Sequence, residues 1–210
     1  MKNITYLLSL ALLFLSCSVP KTNNSTKYVF YLHGRIVEIQ GANAVSTKYG
    51  KYEYHRIIEK LKGKNVRIIS EVRPKDTRIT PYAKKVVKQI DSLINKHVSA
   101  KNITVVGASK GAIIAMQVST LLKNKNVNFV LIAGYSKSIE NNFNFNLYGN
   151  ILGFYEKSDS IAGMSYKSLI KRSTGVSKFK EIELNTKLGH GIVFKPLKEW
   201  IEPTKEWINN

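Results

Sequence analysis

Gly107-Ala108-Ser109-Lys110-Gly111 is the stretch of this chain best suited to chemistry. Residues 103–106 before it are apolar and β-branched, as a strand requires, and 110–123 after it form an apolar run of helical length. A serine between small residues at such a strand-to-helix turn presents its hydroxyl clear of the backbone. Glycine at 107 and 111 lets the turn close, because a side chain there would strike the adjoining strand or helix. Ala112 keeps the next position small. A serine hydroxyl is a poor nucleophile at neutral pH: it needs a base within hydrogen-bond reach and an acid that orients the base. His190, between Gly189 and Gly191, is the one histidine downstream of Ser109. The acid should lie in a loop after a strand, and Asp159, after the apolar run 149–155, fits. Glu156 at the end of that run and Glu140 after the preceding one are its rivals; Asp91 falls in a helical pattern that points away. Ser109, Asp159 and His190 are therefore the candidate catalytic set.

These residues need a frame. The predicted strands are residues 28–32, 66–72, 103–106, 127–133, 149–155 and 178–184. Helical patterns cover 52–61, a stretch starting at Thr80 and Pro81 with the threonine as cap, 110–122, 163–171, and a C-terminal stretch from 196 that Pro203 is expected to break. Residues 36–50 read as a long loop. Strand and helix alternate, and the strands are apolar on both faces, which argues for a mostly parallel sheet of about six strands with helices on both faces. No segment is long enough for an inserted lid domain. His33 ends the first strand and reads as a structural side chain holding the loop that follows. His55 falls in a helical pattern and His97 near a helix end, neither with a catalytic part.

In that order and in those loops, His33-Gly34, the 107–111 turn, Asp159 and His190 resemble the α/β-hydrolase superfamily, over nearly all of residues 28–210. The resemblance implies a doubly wound sheet, chain order Ser, acid, His, and serine hydrolysis through an acyl-enzyme. It also implies an oxyanion site of two backbone N–H groups, here those of Arg35 and Lys110. The chain departs from many family members in carrying Lys110, where an apolar or aromatic residue is common, and in lacking a lid. Glu38 and Gln40 in the 36–50 loop, and Glu71 and Arg73 near the second strand, are candidate substrate contacts; an ion pair between Glu71 and Arg73 is the other expectation. Arg35, Arg73 and Lys110 near the mouth would suit an anionic acyl substrate. A carboxylic ester is the expected substrate class, with thioester and amide served by the same machinery. A non-catalytic binding protein on the same scaffold is the rival from another class.

The N-terminus reads as a signal segment over residues 1–16: Lys2 supplies charge and 6–15 an apolar core, too short to cross a membrane comfortably. Leu15-Ser16-Cys17 resembles a bacterial lipobox, with Phe14 where leucine is usual. Cys17 is then the lipidated first residue, and 17–27 a tether to a domain at 28–210. The expected location is an exported lipoprotein, membrane-anchored on the periplasmic or cell-surface side. Cys17 is the single cysteine, so its lipidation leaves no thiol for disulfide, catalytic or metal chemistry. No His, Asp and Glu grouping has metal-ligand spacing, and neither metal nor cofactor is called for. Thirty-three Lys and Arg stand against 14 Asp and Glu. Loss of 1–16 would remove only Lys2 and leave a balance of +18. The basic residues are scattered, without an arginine-rich run or basic–aromatic alternation. That argues for a solvated surface with some attraction to anionic lipid, and against nucleic acid.

Overall fold

The computed structural model describes residues 25–210; the signal segment, Cys17 and most of the tether lie outside them. Six parallel strands form one sheet: β1 (Lys27–Leu32), β4 (Val66–Ile69), β5 (Ile103–Ala108), β6 (Asn128–Ile132), β7 (Tyr148–Glu156) and β8 (Gly175–Leu184). Their order is β4-β1-β5-β6-β7-β8. The chain leaves β1 towards β4 on one side and then crosses to β5 on the other. The order thus reverses between β1 and β5, and in open parallel sheets the crevice at such a reversal is where ligands bind.

Alternating residues of β1 enter different cores. Val29 and Tyr31 pack under α2 (Tyr54–Leu61) and α7 (Lys198–Asn209). Phe30 and Leu32 pack against α3 (Ile79–Asn95) and α4 (Lys110–Leu122). Burial on both faces explains why the central strands β1, β5, β6 and β7 read as largely apolar runs, whereas the edge strand β8 alternates with exposed charged residues. The α/β architecture expected from the sequence is the one observed.

Several local expectations fail. The 36–50 loop contains a short helix, α1 (Arg35–Gln40), and an antiparallel pair, β2 (Val45–Ser46) with β3 (Gly50–Lys51). These are too brief to leave a periodic signal. A further helix, α5 (Lys137–Asn142), follows β6, and the predicted 163–171 helix is the shorter α6 (Lys167–Arg172). Thr80 does not cap α3, which begins one residue earlier with no side-chain cap; Pro81 still falls in the first turn, where an N–H has no helical acceptor to lose. Pro203 does not break α7. The helix runs through it because buried Trp200, Ile201, Thr204, Trp207 and Ile208 hold both halves against the sheet, which outweighs one missing hydrogen bond.

Candidate active site

Ser109 stands between β5 and α4 with φ 54° and ψ −119°, a conformation that a non-glycine residue rarely adopts. The surroundings force it. A Cβ at Gly107 would come within 2.3 Å of the Gly111 carbonyl oxygen, and one at Gly111 within 1.8 Å of that of Leu32. The Ser109 N–H donates to the Ile132 carbonyl at 2.9 Å, so the turn is also fixed to β6.

The loops after β7 and β8 complete the line of groups that the sequence proposed. Ser109 Oγ lies 2.8 Å from His190 Nε2. His190 Nδ1 lies 2.7 Å from Asp159 Oδ2 and donates to it, which leaves Nε2 free to accept the serine proton. The other Asp159 oxygen accepts from the Ile161 and Ala162 amides at 2.8 and 3.2 Å. Burial alone would raise the Asp159 pKa, but the His190 bond and these two amides outweigh it and hold the carboxyl below its ordinary value. The aspartate is therefore anionic at neutral pH and able to stabilise a charged imidazole.

The rival acids are occupied elsewhere. Glu156 accepts from the Ser158 amide and hydroxyl through one oxygen and from the Thr186 amide and hydroxyl through the other. The Ser158 hydroxyl also accepts from the Gly189 amide at 3.2 Å. Glu156 thus clips the Asp159 loop to the His190 loop. Nothing in its sequence position announced this, because the bonds cross between two strands' loops. Glu140 sits on α5, where Lys137, the Tyr135 hydroxyl and Arg172 hold its pKa down to about 2.

On the other side of Ser109 the loop after β1 closes in. A Cβ at Gly34 would lie 3.6 Å from that of Ser109. Arg35 and Lys110 are the first residues of α1 and α4, so neither N–H has an intrahelical acceptor. The Gly34 N–H donates to the Tyr52 hydroxyl at 3.2 Å, and that hydroxyl meets Tyr31's at 2.8 Å. His33 is structural: Nδ1 donates to the Gly34 carbonyl at 2.8 Å and Nε2 accepts the Arg73 amide at 3.0 Å. Burial, then the Arg73 charge, lower its pKa to about 4, so it is neutral.

Glu38 and Arg73, expected as substrate contacts, are instead buried against each other. Their side chains are 1% and 0% exposed, and Arg73 Nε donates to Glu38 Oε1 at 2.7 Å. The other Glu38 oxygen accepts from Lys110 Nζ at 2.6 Å, and Lys110 also donates to the Thr77 carbonyl at 2.7 Å. Arg73 Nη2 donates to the His33 carbonyl. Glu71 does not pair with Arg73; it turns to Tyr82 and Lys85 of α3. Gln40 accepts from the Val45 amide at 2.8 Å, bracing the β2–β3 pair. Glu38 on α1, Lys110 at the start of α4 and Arg73 in the loop after β4 converge beside the Ser109 turn, a convergence that residue types alone do not encode.

Among the described residues, the large apolar side chains left exposed are Ile39, Val45, Val72, Ile161 and Leu188. All five lie in the segments that follow sheet strands β1, β4, β7 and β8, on the face that carries Ser109: Ile39 in α1, Val45 in β2, and Val72, Ile161 and Leu188 outside the named helices and strands. Tyr49 joins this rim, its ring centroid 6.4 Å from that of His190 and 5.3 Å from that of Phe194.

No protein-family model matches the chain, and no curated protein sequence does. Solved structures do match. SOBER1 of Arabidopsis thaliana aligns with a TM-score of 0.60 at 14% identity, over 88% of this chain and 98% of that one. ATU1826 of Agrobacterium tumefaciens, described as a candidate α/β hydrolase, gives 0.61 at 15%, over 91% and 88%. A lipase-esterase related protein of Clostridium acetobutylicum gives 0.57 at 16%, over 87% and 95%. At such identities the likeness speaks for architecture, and it agrees with the sheet order and the strand-to-helix turn at Ser109: the chain has the α/β-hydrolase fold.

Proposed function

We propose that the protein is a serine hydrolase that cleaves a carboxylic ester through an acyl-enzyme on Ser109. The observation that carries this reading is the unbroken line Ser109–His190–Asp159, with links of 2.8 and 2.7 Å. His190 Nε2 takes the hydroxyl proton as Ser109 Oγ bonds to the acyl carbon. The resulting oxyanion turns to the N–H groups of Arg35 and Lys110. As the tetrahedral carbon collapses, the imidazolium returns the proton to the departing alkoxide. Water then repeats the sequence and frees the acid and Ser109. Asp159 stays anionic throughout, holding Nδ1–H and offsetting the imidazolium charge.

The site favours an uncharged acyl group over an anionic one. Glu38 engages both Arg73 and Lys110 and offsets half of their charge, and of the three cations named at the mouth only Arg35 is exposed. The apolar rim suits an acyl chain lying across an open site. The machinery serves thioesters and amides equally, and one fold neighbour is RedJ, a thioesterase of the prodiginine pathway in Streptomyces coelicolor. Export and lipidation at Cys17 complete the proposal and rest on the sequence. Ser25 accepts from Asn102 just before β5, so the tether joins the domain at the end of the sheet opposite Ser109.

The test is labelling by a fluorophosphonate probe together with turnover of a panel of short-chain aryl esters, thioesters and aminoacyl amides. Labelling at Ser109 and ester turnover that vanish in Ser109→Ala are expected. An unlabelled wild-type protein, inert to every ester, would sink the reading and favour a binding role.

A further inference from the structure

We propose that Glu38 is a positioning residue for the oxyanion site, acting through Lys110 and Arg73 to lock together the two backbone segments that supply its donors. The proposal rests on the serine-hydrolase reading and adds to it the part played by a cluster of three charges, two buried and one partly buried, that touch neither Ser109 Oγ nor His190.

Oxyanion donors must already be in place when charge develops, and small misplacements are costly. The segment carrying the Arg35 N–H is poorly equipped to hold itself. It opens α1, a helix of six residues whose N-cap, Gly34, offers no side-chain bond. Helices this short have little stability of their own. Glu38 lies one turn beyond Arg35 and is gripped from two directions, by Arg73 at 2.7 Å and Lys110 at 2.6 Å. Lys110 therefore has two tasks. Its backbone begins α4 beside the oxyanion, and its side chain is bonded to the helix that carries the opposite donor. Arg73 closes the frame by donating to the carbonyl of His33, two residues before Arg35. The second Lys110 bond, to Thr77 at 2.7 Å, ties in the loop before α3. The lysine that departs from the usual residue at this position thus has a structural counterpart in Glu38, and the two make sense only together.

A purely electrostatic role predicts something different. The cluster has one anion and two cations, so a positive charge near the oxyanion could itself assist. Removing the Glu38 charge would then raise the rate, whereas a positioning role lowers it. Lys110→Met lowers the rate under either reading, so the sign for Glu38→Gln separates them.

The experiment measures kcat and KM on a short-chain aryl ester, and the rate constant and final extent of fluorophosphonate labelling, for the full chain carrying Glu38→Gln, Lys110→Met, both, or Lys110→Arg. Each of the first two is expected to lower kcat and the labelling rate constant roughly 10- to 100-fold, with KM within about threefold. The double variant should be no worse than the worse single one, because both remove the same bridge. Lys110→Arg, which keeps a donor, should recover most of the loss. A merely unstable variant would lower the extent of labelling and leave the rate constant of the labelled fraction alone. If Glu38→Gln does not fold, Glu38→Asp, which keeps the charge but shortens the reach to both cations, decides the matter: positioning lowers the rate, whereas a purely electrostatic role leaves it unchanged. Wild-type rate constants in folded Lys110→Met, or a faster Glu38→Gln, would overturn the positioning role while the labelled wild type keeps the hydrolase reading intact. A wild type that is neither labelled nor active overturns both.

Discussion

Two buried carboxylates flank Ser109, and they are held in different ways. Asp159 is fixed largely by its own turn: Ile161 and Ala162, two and three residues on, donate their amides to one oxygen, leaving the other for His190. Glu38 receives no such local support. Its partners are 35 and 72 residues away in the chain, one cation in the loop after β4 and one at the start of α4. The first arrangement frees one strong bond for the histidine that the proposed mechanism asks to gain and lose a proton. The second spends every strong bond on keeping loops still. In the proposed mechanism one carboxylate serves chemistry and the other serves geometry, although burial is nearly complete for both.

The largest expected effect breaks the catalytic side. Ser109→Ala should lower kcat by about 10⁶ and abolish probe labelling, with melting temperature little changed. Asp159→Asn should cost about 10⁴ in kcat, because an amide no longer secures the Nδ1–H tautomer of His190. Calorimetry showing an intact fold and a full rate in that variant would contradict the assignment of the acid.

On the opposite side the damage should fall on stability. Glu38→Ala leaves Arg73 buried and Lys110 partly buried without an anion, and urea unfolding should register a loss of about 3–5 kcal/mol. His33 supplies a pH signature there. Its native pKa of about 4 lies below the ordinary 6.5, so the unfolded chain takes up the proton first as pH falls. Stability from this group is therefore complete above about pH 6.5 and declines towards pH 4, by roughly 3 kcal/mol in all. His33→Gln should flatten that slope; an unaltered slope would mean His33 is not its source.

The smallest effect sharpens the contrast. Glu156→Gln weakens the clip between the Asp159 and His190 loops without touching either residue. A loss of about 1–3 kcal/mol is expected, with a kcat change smaller than that of Asp159→Asn. A kcat loss as large as the latter would make Glu156 more than a clip.

What was legible in the sequence follows the same division. The 107–111 turn, His190 and Asp159 could be read because each depends on short-range rules: small residues at a tight turn, a histidine in a glycine-flanked loop, an acid just after a strand. The sheet could be read because largely apolar strands alternate with helices. Glu38 and Arg73 were legible as charged residues near the site but not as each other's partners, and Glu71 was matched with the wrong neighbour. Pro203 misled because local propensity argues for a break that packing of Trp200 and Trp207 overrides.

The sequence by itself determined the strand–helix alternation, the tight serine turn and the order of serine, acid and histidine along the chain, since these rest on residue type and near-neighbour sterics. Only the tertiary structure decided which carboxylate faces the histidine, which one clips two loops, and which one locks two cations behind the oxyanion position. Those choices depend on side chains that meet across tens of residues, where burial strengthens a charge's preference for one partner and the chain's own periodicity carries no record of it.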